Sequence, residues 1–322
     1  MNEREQDERT AALHPIGVVA RRTGLSLHVL RAWQRRYGAV VPVRTEGGQR
    51  LYSDLDVQRL RLLRQVTDAG RSISQVAQLG VDELSALSAA DADGAGPQPR
   101  GDDHSAAILD ACLGAAERMD AGVLNGSLMR AAVSLRPGEF LGDVVIPLLH
   151  EVGERWHAGS LGAAQEHVVS EAVRRALWWV MEAYVDQDGG PVLVATTPEG
   201  EQHELGVMAA SVVALEEGWR VMYLGASLPA SEIAHTALRV DASVIALSLV
   251  NDELMDAVAV EVAGLCDALP AGAVVLVGGR AAAADRARLE RAGARVVTDL
   301  EALREVLHGI APGVGVLPRV GA

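Results

Sequence analysis

The second half of the chain alternates short apolar runs with longer stretches of helical periodicity. The runs predict strands near residues 191–195, 219–224, 243–248, 273–277 and 295–297. The intervening periodicity predicts helices near residues 204–217, 229–239, 251–268 and 281–292. Strands that alternate with helices favour a parallel sheet with helices on both faces. We therefore predict a doubly wound α/β, Rossmann-like domain over residues 189–310, whose ligands would bind at the carboxyl ends of its strands.

The middle of the chain has helical periodicity broken only by short turns. Helices are predicted near residues 105–119, 121–135, 138–157 and 161–185. Four helices joined by short turns are typical of a four-helix bundle, assigned here to residues 105–188. Residues 83–104 end in a stretch rich in Gly, Pro and Asp without apolar periodicity. That composition predicts a flexible linker.

The amino-terminal pattern is that of a small winged DNA-binding module. A short helix after Pro15 ends near Gly24, and Ser26 is a good N-cap for a second helix. That second helix carries arginines on its outer faces, as the second helix of a helix-turn-helix does. Residues 43–52 then predict a hairpin around a Gly-Gly pair. Residues 14–82 are thus predicted to form an all-α winged helix-turn-helix domain.

Charge is distributed unevenly along the chain of 322 residues, which has a formal net charge of −14. Between His14 and Gly80, eleven arginines face only four acidic residues. A basic module on an acidic body indicates a local polyanion contact, and double-stranded operator DNA is the partner that fits this module.

Composition also limits the other classes of function. The two cysteines, Cys112 and Cys266, are far apart in helical contexts, so they indicate neither a disulfide framework nor a zinc site. The charged first residues and the lack of a long apolar run favour a cytoplasmic protein without a membrane segment. Phosphate-binding loops, dinucleotide fingerprints and nucleophile elbows are missing from the sequence, which gives no support to an enzyme.

Two strings in the first module resemble the MerR family of regulators. They are Arg31-Ala-Trp-Gln-Arg-Arg-Tyr-Gly38 and Gly47-Gly-Gln-Arg-Leu-Tyr52. The resemblance implies DNA contacts from His28, Arg31 and Arg35 on the recognition helix, and from Arg44, Arg50 and Tyr52 in the wing. Arginine reads guanine edges or binds phosphates, so the sequence leaves open which contacts are base-specific. A helical protein-binding module is the alternative interpretation.

Three short motifs follow three predicted strands and therefore meet at one edge of the sheet. They are Glu201-Gln-His203-Glu-Leu-Gly206, Ser248-Leu-Val250 and Gly278-Gly279. Taken alone, the first motif fits a histidine exposed in a loop. The carboxylate of Glu201 then orients the imidazole of His203. The three together resemble the cobalamin-binding domain with its D-x-H-x-x-G, S-x-L and G-G signature.

This second resemblance implies a cobalt corrinoid cofactor. It makes His203 the lower cobalt ligand, oriented by Glu201, and it directs the displaced nucleotide tail into the sheet past small residues. Those small residues are Gly206, Ser248, Gly278 and Gly279. The chain departs from the pattern at Glu201, where the family has Asp, and at Val250, where it has Leu.

A further motif spans the last two helices of the predicted bundle. Trp156 and His157 precede Glu166 and His167 in the spacing W-x9-E-H. Taken alone, Trp156 fits a bundle core and His157 a cation at a helix end. The motif resembles the cobalamin-dependent, light-sensing MerR repressors called CarH or LitR.

This third resemblance implies that adenosylcobalamin binds between bundle and α/β domain. Trp156, Glu166 and His167 then form the adenosyl pocket, and His157 is the cobalt ligand after illumination. The family expectation is a homo-oligomer, a tetramer in darkness, that represses transcription and releases DNA in light. Gln202 and Ser227 depart from the family's intersubunit ion pair, which leaves the oligomeric state open.

Two other functions fit the same motifs. One is a cobalamin sensor or partner-regulated transcription factor that is indifferent to light. The other is the corrinoid carrier of an enzyme, which has no use for a DNA-binding module.

Overall fold

The computed structural model describes residues 13–45, 49–69, 71–92, 102–184 and 189–310. It divides into two compact units, Met1–Tyr184 and Val185–Ala322. The first contains the DNA-binding module, here called the head, and the helical bundle; the second is the α/β domain. Within the described residues, every helix is too short or too polar to cross a membrane.

The head is a set of short helices with a three-stranded antiparallel sheet. Its strands are β1 (His14–Pro15), β2 (Val43–Arg44) and β3 (Arg50–Tyr52), in the order β1-β3-β2. Its helices are α1 (Ile16–Thr23), α2 (Leu27–Tyr37), α3 (Asp54–Asp68), α4 (Ile73–Val76) and α5 (Val81–Ala92). Ser26 caps α2 by accepting a bond from Val29 N, and Gly38 ends it in the left-handed conformation. Leu30 and Trp33 are fully buried in the head.

The bundle consists of four helical segments within residues 102–184. They are α6 (Asp102–Glu117), α7 (Ala121–Ser134), α8 (Ile146–His157) and α9 (Ala163–Glu182). A helical turn (Pro137–Glu139) and a π-helical stretch (Phe140–Val145) lead directly into α8. The bundle core includes Phe140, Leu148 and Val173, which are completely buried.

The second unit is a parallel five-stranded sheet with the order β5-β4-β6-β7-β8. The strands are β4 (Val192–Thr196), β5 (Arg220–Tyr223), β6 (Ala242–Ser248), β7 (Val274–Gly278) and β8 (Arg295–Val296). The helices are α10 (Leu205–Glu216), α11 (Ala230–Arg239), α12 (Met255–Ala268), α13 (Arg280–Ala284), α14 (Arg286–Arg291) and α15 (Leu300–Ile310). The order reverses between β4 and β6, and the loops after these two strands flank the switch point where such sheets bind ligands.

The observed elements differ from the predicted ones in three places. The segment assigned to a flexible linker is helical as far as Ala92, because its Ala and Ser residues continue α5; residues 93–101 lie outside the described residues. The helix predicted over 281–292 is broken at Asp285 into α13 and α14. Helix α15 was not predicted.

Candidate functional site

Glu201 ties together the loops that follow β4 and β6. Its side chain is 1% exposed and accepts hydrogen bonds from four donors. Oε1 accepts from His203 N at 2.9 Å and from His203 Nδ1 at 2.5 Å. Oε2 accepts from Val250 N and Asn251 N, both at 2.8 Å. The carboxylate therefore fixes the position of one loop relative to the other.

The environment of Glu201 keeps its carboxyl group ionised and orients the imidazole of His203. Burial raises the pKa of Glu201, but the N–H groups of Asn251, His203 and Val250 outweigh it, so the net pKa is lowered. The carboxylate holds the proton of His203 on Nδ1, so Nε2 carries the lone pair. Since the His203 side chain is 67% exposed, this nitrogen is available to a metal outside the loop.

The start of α10 and the end of β6 approach each other closely at Gly206 and Ser248. Ser248 is 4% exposed, and within the described part of the chain its Oγ has no hydrogen-bond partner. A Cβ on Gly206 would lie 2.7 Å from this oxygen, so only glycine leaves room there. A buried hydroxyl without a partner costs free energy unless a ligand binds it. The hydroxyl of Ser248 is therefore a candidate contact for a ligand at the end of β6.

The two predicted glycines after β7 are not equivalent. Gly279 has φ +103°, and a Cβ there would lie 2.4 Å from Leu249 O, so glycine is required. A Cβ on Gly278 would lie 3.5 Å from Val297 O, an ordinary contact. Gly279 thus keeps the loop after β7 packed on the loop after β6.

Three contributors to this site were not found from the sequence. The amide N–H of Asn251 gives no signal because any residue supplies it. Thr197 donates from Oγ1 to Glu201 O at 2.5 Å. Arg280 donates to Val250 O at 3.0 Å and to Asp252 at 2.9 Å; its position directly after Gly279 was the available signal.

The two departures from the family's ion pair lie in neighbouring loops: Gln202 in the loop after β4 and Ser227 in the loop after β5. Gln202 is exposed. Ser227 has φ +60°, and its Oγ accepts a bond from Gly200 N at 3.0 Å while its N–H donates to Thr197 Oγ1 at 2.8 Å. Ser227 therefore holds a turn within its own chain.

The W-x9-E-H residues lie at one end of the bundle. Trp156, which is 47% exposed, and His157 end α8, and their rings meet edge to face at 4.8 Å. Glu166 and His167 lie in the first turns of α9 and are joined by a 2.6 Å bond from Nδ1 to Oε2. An exposed tryptophan whose three motif partners are polar fits a ligand surface better than a core position.

The structure places the predicted DNA-contacting side chains in different environments. Arg35 and Arg44 are exposed, and Arg31 and Arg50 are half-buried. Loss of solvation through burial is the main reason that the pKa of Arg31 is lowered. His28 is 1% exposed, and burial lowers its pKa to about 4.

Tyr52 differs from its predicted role as a phosphate contact. It is completely buried, and its hydroxyl donates to Gln34 Oε1 at 3.2 Å. Burial raises its pKa to about 12. In this structure Tyr52 is a core residue that joins β3 to α2, because its ring completes the small apolar core of the head.

Comparisons with protein families agree with the three parts of the chain. The model described as MerR HTH family regulatory protein matches residues 15–79. Two models, each described as a B12 binding domain, match residues 108–179 and residues 191–307. The site fits such a cofactor: Nε2 of His203 is available to a metal, and the buried hydroxyl of Ser248 has no hydrogen-bond partner among the described residues.

Similar proteins cover nearly the whole chain. The HTH-type transcriptional repressor CarH of Myxococcus xanthus is 34% identical over 289 residues, which are 90% of this chain and 95% of that protein. The HTH-type transcriptional repressor CarA of the same organism is 30% identical over 73% of this chain and 76% of its own length. Among solved structures, the Methanosarcina barkeri monomethylamine corrinoid protein has a TM-score of 0.50 and 16% identity. It covers 64% of this chain and 99% of that one, and shows a shared fold.

Proposed function

The chain belongs to the CarH-type MerR regulators, DNA-binding transcription regulators that carry B12-binding domains, and we propose that it is a light-responsive repressor that uses adenosylcobalamin. In this proposal the cofactor binds between the helical bundle and the α/β domain. The protein represses in darkness as a homo-oligomer, and illumination changes the oligomeric state and releases operator DNA.

The observation that carries the cofactor assignment is the pairing of Glu201 with His203. The carboxylate directs Nε2 of His203 outward and fixes the imidazole to the loop after β6. A corrin takes one axial nitrogen from a protein, which this geometry supplies. Gly206 and Ser248 are proposed to line the path of the nucleotide tail that His203 would displace.

The bundle end supports the adenosyl form and the response to light. Bound adenosylcobalamin would supply a cobalt–carbon bond that visible light breaks. Trp156, Glu166 and His167 are proposed to hold the adenosyl group, since an exposed indole stacks on a purine and the two polar side chains bind its hydroxyls. His157 donates from Nδ1 to Gly153 O at 2.8 Å, so its Nε2 carries the lone pair. This tautomer suits the proposed role of His157 as a metal ligand after light.

Oligomer formation is proposed to link the cofactor to DNA. Several heads on one operator raise apparent affinity by orders of magnitude without new base contacts. Loss of the adenosyl group would remove the interaction that favours the oligomer, which shifts the population towards single subunits. Because Ser227 is bonded to the loop after β4 of its own chain, the dark interface is proposed to use contacts other than an ion pair at Gln202 and Ser227.

The test is a comparison of dark and illuminated holoprotein. The protein is loaded with adenosylcobalamin in darkness, desalted, and examined by absorbance and by light scattering for mass. The DNA for the binding assay is a fragment that the dark form of the protein selects from a random-sequence library. We expect a coloured oligomer that binds the fragment in darkness, and a smaller species that releases it after green light.

Two variants assign the outcome to residues. His203→Ala is expected to bind the cofactor at least tenfold more weakly, because the axial nitrogen is lost. His157→Ala is expected to load normally and to differ only in the absorbance spectrum after illumination. Holoprotein whose mass and DNA binding do not respond to light would favour the light-indifferent cobalamin sensor. Protein that stays colourless after desalting would refute both functions.

A further inference from the structure

The face of α2 that carries the predicted DNA contacts is bound to the chain's own bundle. His28 donates from Nε2 to Ala132 O, near the end of α7, at 2.8 Å. Its ring packs against the edge of Trp179 at 5.9 Å and stacks on Tyr184 at 6.5 Å with an interplanar angle of 9°. His28 is therefore enclosed by residues more than 100 positions away in the sequence.

The arginines of α2 contact the carboxyl end of α9. Arg36 Nη1 pairs with Glu182 Oε2 at 3.0 Å, and Arg35 Nη1 donates to the backbone oxygen of Glu182. The last carbonyls of a helix carry a partial negative charge, and Glu182 adds a carboxylate. This helix end offers arginine the kind of oxygen acceptors that a DNA backbone offers.

The junction between the head and the bundle is incompletely packed. A crevice of about 260 Å³ separates Tyr37 and Arg71 of the head from Asn125 and Arg130 of α7. The side chains of Arg36 and Glu182 are both 51% exposed, and exposed pairs contribute little to stability. Such a junction separates at a lower cost in free energy than a close-packed apolar core does.

Helix α9 connects this junction to the cofactor-binding end of the bundle. Glu166 and His167 lie in its first turns and Glu182 is its last residue. At 1.5 Å per residue, about 24 Å of helix separates Glu166 from Glu182. A displacement at one end of a single helix is transmitted to the other.

We propose that the carboxyl ends of α7 and α9, with Tyr184, form an internal docking surface for α2 that competes with operator DNA. The head leaves this surface before α2 enters a major groove, since Arg35 and Arg36 cannot bind Glu182 and DNA phosphates at the same time. The proposal rests on the DNA-binding role of α2. In the subunit without DNA, the recognition helix α2 is then covered by the bundle.

The test uses variants that weaken the docking surface without touching the head. Glu182→Gln, alone and with Tyr184→Ala, removes the ion pair and the ring stacked on His28. Glu171→Gln is the matched control, because Glu171 is an exposed glutamate of the same helix and pairs with Arg174 rather than with the head. Amide hydrogen exchange of α2 is measured without DNA, and affinity is measured for the library-selected fragment.

Opening the surface is expected to expose α2 and to strengthen DNA binding. Glu182→Gln is expected to bind about two- to fivefold tighter and the double variant about tenfold tighter, with faster exchange in α2 for both. Glu171→Gln stays at the wild-type values. When DNA binds the wild-type protein, amides at residues 179–184 are expected to exchange faster because α2 has left them.

Three results overturn the proposal: unchanged exchange of α2 in the double variant, weaker DNA binding by it, or increased protection of residues 179–184 upon DNA binding. If no form binds DNA, the proposed regulatory function fails and competition with DNA fails with it. The exchange of α2 without DNA then still distinguishes a docked head, which the double variant loosens, from a head that is not docked.

Discussion

Replacing Glu201 by glutamine tests whether this carboxylate organises the site. Each of its oxygens accepts two N–H donors, whereas an amide has one oxygen and one NH2 group. If the amide oxygen keeps Val250 N and Asn251 N, its NH2 group faces the backbone N–H and Nδ1 of His203. Nδ1 then has to become an acceptor, which moves the imidazole proton to Nε2.

The expected loss of stability follows from the number of N–H donors that lose their acceptor. One buried N–H without an acceptor costs about 1–3 kcal/mol, which corresponds to a fall of roughly 4–12 °C in the melting temperature of a domain of this size. Because a protonated Nε2 cannot ligate a metal, we expect cobalamin affinity to fall by about 10–100-fold, the usual effect of losing such an orienting carboxylate.

The dependence of stability on pH provides a second test of the Glu201 carboxylate. The folded-state pKa of Glu201 is lowered, so its contribution to stability is present above the ordinary glutamate pKa and is lost as the pH falls through the lower folded value. Glu201→Gln is expected to remove that part of the acid sensitivity.

The assays are thermal unfolding of the apoprotein by circular dichroism between pH 3 and 7 (roughly the range over which glutamate titrates), and absorbance titration with cobalamin in darkness. Gln202→Ala alters an exposed neighbour in the same loop and serves as the control. A Glu201→Gln protein that melts at the wild-type temperature and binds cobalamin with wild-type affinity would refute the reasoning.

Three further predictions address the glycine contacts, the unpartnered hydroxyl and the buried imidazole. Gly279→Ala is expected to destabilise the α/β domain by about 2 kcal/mol or more, since its Cβ would lie 2.4 Å from Leu249 O at φ +103°. The control Gly264→Ala, with open space in helix α12, should stabilise it by about 0.5–1 kcal/mol; equal melting temperatures would contradict the prediction. Ser248→Ala is expected to leave apoprotein stability unchanged or raise it by up to about 1 kcal/mol while weakening cobalamin binding; a clear loss of apoprotein stability would show that the hydroxyl has a partner. His28, with a folded pKa of about 4 against the ordinary 6.5, is neutral in both states above pH 6.5, and below it the undocked head binds a proton more readily. Docking should therefore weaken as the pH falls from 6.5 to 4, by about 3 kcal/mol in total. Protection factors of the α2 amides (the intrinsic exchange rate at each pH divided by the observed rate) that do not fall between pH 7 and 5 (roughly the upper half of this window) would contradict it.

The sequence predicted the parallel sheet because its strands are short apolar runs bounded by polar turns. Since each of these strands ends at the same edge, the Glu201, His203 and Ser248 motifs were expected to meet, and β4 pairs with β6 as that expectation requires. The steric need for Gly279 was also accessible, because a Gly-Gly pair after a strand is typical of a close backbone approach.

The remaining features depend on contacts that local patterns do not encode. Docking of His28 on Ala132 and Trp179 joins segments that are distant in the sequence. The burial of Tyr52 was missed because a tyrosine at the end of a basic wing has the same local pattern whether its ring faces DNA or the core. Three of the four donors of Glu201 are backbone amides, which any sequence would supply.

The four-donor carboxylate also bears on how the cofactor is acquired. Since Glu201 joins both loops within the protein itself, the imidazole of His203 is preorganised, and binding of a ligand to it requires little additional ordering of the loop. The bundle end differs: the side chain of His167 is 78% exposed and Trp156 is 47% exposed, so these side chains have freedom to settle in more than one arrangement. Under the proposed function, the rigid loop at Glu201 would hold the cofactor, and the exposed side chains of the bundle end would respond to a change in its upper ligand.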